Sequence, residues 1–218
     1  SLRGSGPGGA AVAGRGLAPR RQRWHPRGVE SSLAPGFLVA SPALRDPNFV
    51  RSVVLLVEHG EEGSLGFVID RPAPVGFAKV AELLGLETTE TAAEATPVFT
   101  GGPVAPQSGW LVFDPRGLAA ALLDDAVAVS EALAVSASRG VLEAIAADGG
   151  PARRLLALGY AGWATGQLDE EFRRGVWIPV NLDEEIVFDV PPGDRWHAAL
   201  TSAGLDPARM SGGGGFSA

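Results

Sequence analysis

Cysteine is absent from all 218 residues, and with it go disulfides, thiolate catalysis, Cys-ligated zinc and iron–sulfur clusters. Histidine is scarce. Of His25, His59 and His197, only the last two lie beyond the Arg-rich opening segment, so a histidine-rich metal site cannot be assembled. Lys79 is the single lysine and sits in a helical apolar pattern with no Gly-rich loop before it, which excludes a Walker-type phosphate loop. Neither a Gly-x-Ser-x-Gly elbow nor a Gly-x-Gly-x-x-Gly after a strand occurs. Long apolar runs are missing as well. Val53 to Val57 and Leu118 to Leu123 are far too short to span a bilayer, so no membrane partner is expected.

What is present has the composition of an ordinary globular domain, with 45% hydrophobic and 20% charged residues. Charge is unevenly spread. Arg3, Arg15, Arg20, Arg21, Arg23 and Arg27 all precede the first acid, Glu30, after which 12 basic groups face 25 acidic ones. So negative a body repels a phosphate backbone, and direct nucleic-acid binding is not expected unless the Arg-rich arm supplies it. No helix-turn-helix pattern is visible.

Residues 1–31 read as a flexible Arg/Gly/Ala-rich tail without apolar period. Their basic composition, free of acids before Glu30, fits either an over-extended gene start or an organellar transit peptide; otherwise a cytoplasmic location is expected. Residues 32–210 read as one folded domain, and 211–218 as a mobile Gly-rich C-terminus.

Within the domain, Val53–Val57 and Leu65–Ile69 flank Gly60-Glu61-Glu62-Gly63, a hairpin signature, and their continuous apolar character predicts burial on both faces. Phe37–Ala40, Val98–Thr100, Trp110–Phe113, Leu155–Tyr160 and Val176–Val180 read as further strands, with Val127–Val129 and Leu133–Val135 as another pair. Helical spacing appears at Phe77, Val80, Ala81 and Leu84, and again at Val141, Leu142 and Ile145, where Ser138 can cap. Thr165 can cap a helix with acids early and Arg173 and Arg174 late, matching the helix dipole. Asp194 can cap a last helix carrying Trp196 and Leu200. Strands and helices mix without strict alternation, which predicts a single mixed α/β (α+β) domain.

Several residues invite a functional reading beside a structural one. Glu58-His59 is the best acid/base pair, but strand neighbours point to opposite faces unless the strand bulges; His59 otherwise shapes the turn. Arg71 can grip an anionic ligand with its fork or form a structural salt bridge. Gly101-Gly102-Pro103 can present backbone N–H groups to an anion or make a tight turn. Gly159-Tyr160-Ala161-Gly162-Trp163 can wall a ligand, or pack backbones closely with Trp163 filling the core. The acidic runs Asp124-Asp125, Asp169-Glu170-Glu171 and Asp183-Glu184-Glu185 lack the alternation of a cation loop and read as solvated faces and helix starts.

Taken in order, Ser41-Pro42-x4-Pro47-x-Phe49-x-Arg51-Ser52-Val53, Glu58-His59-x3-Gly63-x2-Gly66, Arg71-Pro72, Gly101-Gly102-Pro103, Leu158-Gly159-Tyr160-Ala161-Gly162-Trp163-x3-Gln167-Leu168 and Asp194-Arg195-Trp196 resemble the YqgE/AlgH family of bacterial proteins. The resemblance covers about residues 33–210. It implies a single domain whose mixed, bifurcated β-sheet partly closes into a barrel and is surrounded by helices. The family is one of uncharacterised proteins, some described as transcriptional regulators, with no established catalytic residues or cofactor. Its motifs mark Glu58, His59, Arg71, Tyr160, Trp163, Gln167 and Arg195 as ligand-binding candidates. Val57 stands where the family often has Cys, Asp70 where it commonly has Asn, and Phe216-Ser217-Ala218 where a Gly-His-Ala-like end is usual. The expected function is a non-catalytic binding or regulatory module for a protein or small-molecule partner. The alternatives are a hydrolase or transferase using Glu58, His59 and Arg71, or a DNA binder through the Arg-rich arm.

Overall fold

In the computed structural model, residues 33–206 and 210 are described; the tail and C-terminal segment expected at 1–31 and 211–218 lie outside them. Nine strands and seven α-helices follow in the order β1 (Gly36–Ala40), β2 (Val53–Gly60), β3 (Gly63–Val68), α1 (Phe77–Leu83), α2 (Glu90–Glu94), β4 (Val98–Thr100), β5 (Val104–Phe113), α3 (Ala120–Leu123), β6 (Val127–Ser130), β7 (Leu133–Ser136), α4 (Arg139–Ala146), β8 (Arg154–Trp163), α5 (Gln167–Arg173), β9 (Trp177–Asn181), α6 (Glu184–Phe188) and α7 (Arg195–Ser202). The sheet runs β6-β7-β5-β8-β3-β2-β1-β9, with β4 branching from β8.

The branch makes the sheet bifurcated. The late half of β8 pairs with β3 through Ala161, Gly162 and Trp163, while the early half pairs with β5 and, in parallel, with β4. The chain beyond β3 leaves β8 and bonds β4 instead: Val68 N–H donates to Gly101 O, Thr100 N–H to Arg71 O and Ala73 N–H to Val98 O, all at 2.8 Å. Strand β4 is thus a wedge driven between two strands that are partners further along. All the other named strand pairings are antiparallel.

The expected partial barrel closure does not occur. Strands β6 and β9 end the sheet without pairing to each other. Pro179 within β9 has no N–H to donate outward, and β6 carries a register irregularity between Ala128 and Ser130; both features discourage an edge from pairing.

Burial on both faces of the first hairpin is observed. Phe37, Val39, Val53, Leu55, Phe67 and Ile69 pack with Ile186, Val187, Trp196 and Leu200, while Leu38, Ala40, Val54, Leu56 and Val68 pack with Trp163, Leu168 and Trp177. The alternation of a strand assigns neighbours to opposite layers. A third cluster seats Phe77, Ala81, Val141 and Ile145 on Leu111, Phe113 and Leu156.

Three expected caps are corrected. Ser138 makes no capping bond; Ser136 Oγ accepts from Ser138 N–H instead. Thr165 stands one residue too early, because Gly166 precedes α5 at φ 72° and Gln167 Oε1 accepts from Ala164 N–H. Asp194 is the last residue of a 3-10 turn, so it stands before α7 in helical instead of extended conformation and its side chain makes no capping bond.

At the fork two backbones nearly touch. A Cβ on Gly159, whose φ is +71°, would lie 2.6 Å from Gly102 O and 2.8 Å from Val104 O. Gly166, at φ +72°, has open space around it. Gly166→Ala therefore carries only the left-handed penalty of about 1–2 kcal/mol, some 2–6 °C in melting temperature. Gly159→Ala adds a backbone clash, and a loss of at least about 3 kcal/mol is expected. Thermal melts of the two variants check this, and equal shifts would refute the close-approach account.

Candidate functional site

The seven candidate residues fall in three places. At the turn end of the β2–β3 hairpin, a register irregularity between Leu56 and Glu58 brings His59 opposite Ser64 and Glu58 opposite Leu65. The bulge exists, yet the two side chains have different surroundings. Glu58 is exposed and has no hydrogen-bond or ion-pair partner among the described residues. His59 is half-buried, with Nδ1 2.8 Å from Ser64 Oγ and Nε2 3.6 Å from Asp169 Oδ1 at the start of α5.

Beside it, α5 and the end of β8 build a carboxylate-centred cluster. Glu171 Oε2 accepts from the indole N–H of Trp163 at 2.9 Å and of Trp177 at 2.7 Å, and its Oε1 accepts from Gln167 Nε2 at 2.9 Å. The three rings of Phe49, Trp163 and Trp177 lie 5.5–6.3 Å apart between centroids. Trp163 is 7% and Trp177 4% exposed, so the two indoles offer little surface to a ligand. Sequence reasoning picked Trp163 and Gln167 but missed the acid joining them. The i, i+4 spacing of Gln167 and Glu171 on one helix face was the available signal.

At the far end of β3, roughly 20 Å from His59 along the strand, Arg71 donates to the carbonyls of Pro47 at 2.7 Å and Val50 at 2.8 Å. Its fork is spent on backbone, neither on an anion nor on the salt bridge considered from sequence. Arg195, 3% exposed, donates to Val190 O at 2.9 Å and to Ile69 O, with its guanidinium carbon 5.0 Å from the Phe99 ring centre. Tyr160 lies at the fork, half-buried and edge-on to Trp110 at 6.3 Å. Glu58, His59 and Arg71 therefore do not surround one pocket. Among the described residues no group of His, Asp and Glu is placed to hold a metal ion, and no helix is long and apolar enough to cross a membrane.

Asp70 is the anomalous group. One carboxylate oxygen, Oδ1, is buried without a hydrogen-bond partner among the described residues. Burial pushes its carboxyl up to about 6, against the opposing pull of the Val53 and Asp70 N–H groups and of Arg71 and Arg195. Burial likewise draws Arg195 down to about 10. Because the folded state holds the Asp70 proton more tightly than the unfolded chain, stability from this group is full below about pH 4 and lost as pH rises through about 6. A shift of this size corresponds to at most about 3 kcal/mol. Asp70→Asn is expected to raise the melting temperature at pH 7–8 and to match the wild type near pH 4. Melts across that range check it; a variant less stable at every pH would overturn the assignment.

Comparison with known proteins gives one consistent answer. A family described as AlgH-like matches residues 37–208. A UPF0301 protein of Anaeromyxobacter dehalogenans strain 2CP-C is 46% identical over 197 residues, 87% of this chain and 98% of the relative. One from Cupriavidus metallidurans is 42% identical over 184 residues, 84% of this chain and 95% of the relative. The solution structure of the AlgH protein from Pseudomonas aeruginosa superposes with a TM-score of 0.70 at 34% identity, covering 88% of this chain and all of that one. A crystal structure from Corynebacterium diphtheriae gives 0.63 at 26% identity, covering 89% and 95%. On family match, sequence identity and fold alike, the chain belongs to the AlgH-like family.

Proposed function

We propose that the chain is a non-catalytic, cytoplasmic binding module that regulates by engaging a small-molecule or protein partner, without direct contact to DNA. The observation that carries this reading is the use of the motif side chains. Arg71, Arg195, Trp163 and Gln167 all spend polar groups on partners within the chain. Residues that tie the structure together are not available for chemistry, whereas Glu58 and His59 at the hairpin end keep solvent access. A thermal-shift screen of the full chain against nucleotides, metabolites and duplex DNA tests it. A partner at a hundred times its dissociation constant adds about 2.7 kcal/mol. The shift is expected from a small molecule or protein and not from DNA. Glu58→Ala is expected to weaken partner binding while leaving the melt unchanged to within about 0.5 kcal/mol. A salt-dependent shift with DNA would overturn the exclusion of DNA contact.

A second reading rests on the Ser64–His59–Asp169 geometry, which places a hydroxyl, an imidazole and a carboxylate in series. It replaces Glu58 and Arg71 with Ser64 as nucleophile, His59 as base and Asp169 as the orienting acid. Its test is labelling with a fluorophosphonate. A covalent adduct on Ser64 that disappears in His59→Ala would establish a hydrolase, and an unlabelled Ser64 would dismiss it.

A further inference from the structure

We propose that Arg51, laid over Trp196 beside His197, anchors a binding site for a phosphate-bearing ligand. Three observations converge there. Arg51 is exposed, and its guanidinium has no hydrogen-bond or ion-pair partner among the described residues; its carbon sits 5.2 Å from the centre of the Trp196 ring. The same indole meets the exposed His197 edge-on, with ring centres 5.0 Å apart at 87°. Two side chains able to donate to an anion therefore both contact one indole. That support is fixed, because Trp196 is 3% exposed and its Nε1 donates to Ala40 O at 2.9 Å.

The backbone reinforces the point. Arg51 has φ +55°, a left-handed conformation that glycine adopts freely and arginine does not. The surrounding loop is held in place from outside. Arg71 ties down the carbonyls of Pro47 and Val50, and Ser52 donates from both N–H and Oγ to Phe49 O. The fold thus retains a strained arginine where glycine would be easier, and its fork bonds no acceptor among the described residues. An outlier of this kind points to use rather than to packing.

The chemistry suits a phosphate monoester. A guanidinium offers two parallel N–H donors in a fork and an imidazole offers a third, against three terminal oxygens. Contact with the indole costs the planar fork no donor, because the ring engages the cation through its π-system. The strongly acidic body opposes non-specific anion adsorption, so binding here reports a built site. The inference deepens the binding-module reading by naming a ligand class at a site separate from the hairpin end.

The test is a ¹H–¹⁵N NMR titration of the full chain with inorganic phosphate and with phenyl phosphate, acetate serving as the comparison. Saturable shifts of the Trp196 indole and the His197 resonances are expected with both phosphates. Acetate, with two oxygens, should bind at least fivefold more weakly. Arg51→Gly relieves the strained conformation, so it should melt close to the wild type yet bind phosphate at least tenfold more weakly. His197→Ala, at an exposed position, should weaken binding severalfold and serves should Arg51→Gly fold poorly. No saturable shift up to about 20 mM phosphate, equal affinity in wild type and both variants, or acetate binding as tightly as phosphate would overturn the proposal. A silent titration alongside a hit from another ligand class would overturn this site alone and leave the binding-module reading standing.

Discussion

The sheet divides because backbones are allowed to approach more closely at one point than any side chain permits. Gly101, Gly102 and Gly159 meet where β4 enters between β8 and the continuation of β3, and a Cβ on Gly102 would lie 2.2–2.4 Å from backbone atoms of Tyr160 and Ala161. Without that contact Gly101 N–H could not reach Leu158 O, which it does at 2.7 Å, and the wedge would have no anchor on β8. The consequences spread outward. On one face the two arms of the fork share a core layer while on the other each carries its own, and residues after β3 reach Arg195 and the 42–51 loop because they diverge from β8 there.

A forked sheet leaves carbonyls without ladder partners at the ends of its arms, and arginine supplies the missing donors. Arg71 holds Pro47 and Val50, Arg195 holds Ile69 and Val190, and Arg154 holds Pro151. A planar guanidinium with five N–H groups can satisfy two carbonyls on different segments, where a lysine would act as a point charge. The ion pairs, by contrast, mostly have well-exposed members such as Lys79–Glu82 and Arg139–Glu143, each worth no more than about 1 kcal/mol. In this chain, arginine matters more as a tie between backbone segments than as a partner of acids.

Much of this was legible in the residues. The hairpin, its double-sided burial and the chief helices followed from apolar spacing, because the periods of strand and helix are local properties. The Gly-Gly-Pro and Gly-Tyr-Ala-Gly-Trp segments could be seen to matter, but nothing in either segment says that they face one another. The helices α2, α3 and α6, of 5, 4 and 5 residues, escaped notice because so few positions cannot display a 3.6-residue period. Caps were misassigned for a related reason. Gly166 moves the start of α5 by one position and a 3-10 turn gives Asp194 helical dihedrals, and composition alone registers neither.

The site residues divide along the same line. From sequence it was settled that cysteine chemistry and histidine-rich metal centres are excluded, since they depend on residue types the chain lacks or nearly lacks. Only the tertiary structure decided which motif residues remain free. Arg71 and Arg195 proved to be struts, Trp163 and Gln167 proved to be joined through Glu171, and Arg51, one arginine among seventeen, proved to be stacked, strained and without a hydrogen-bond or ion-pair partner among the described residues. The reason is physical. What a guanidinium or carboxylate can do is set by the groups within a few ångströms of it, and here those groups come from segments far apart in the chain.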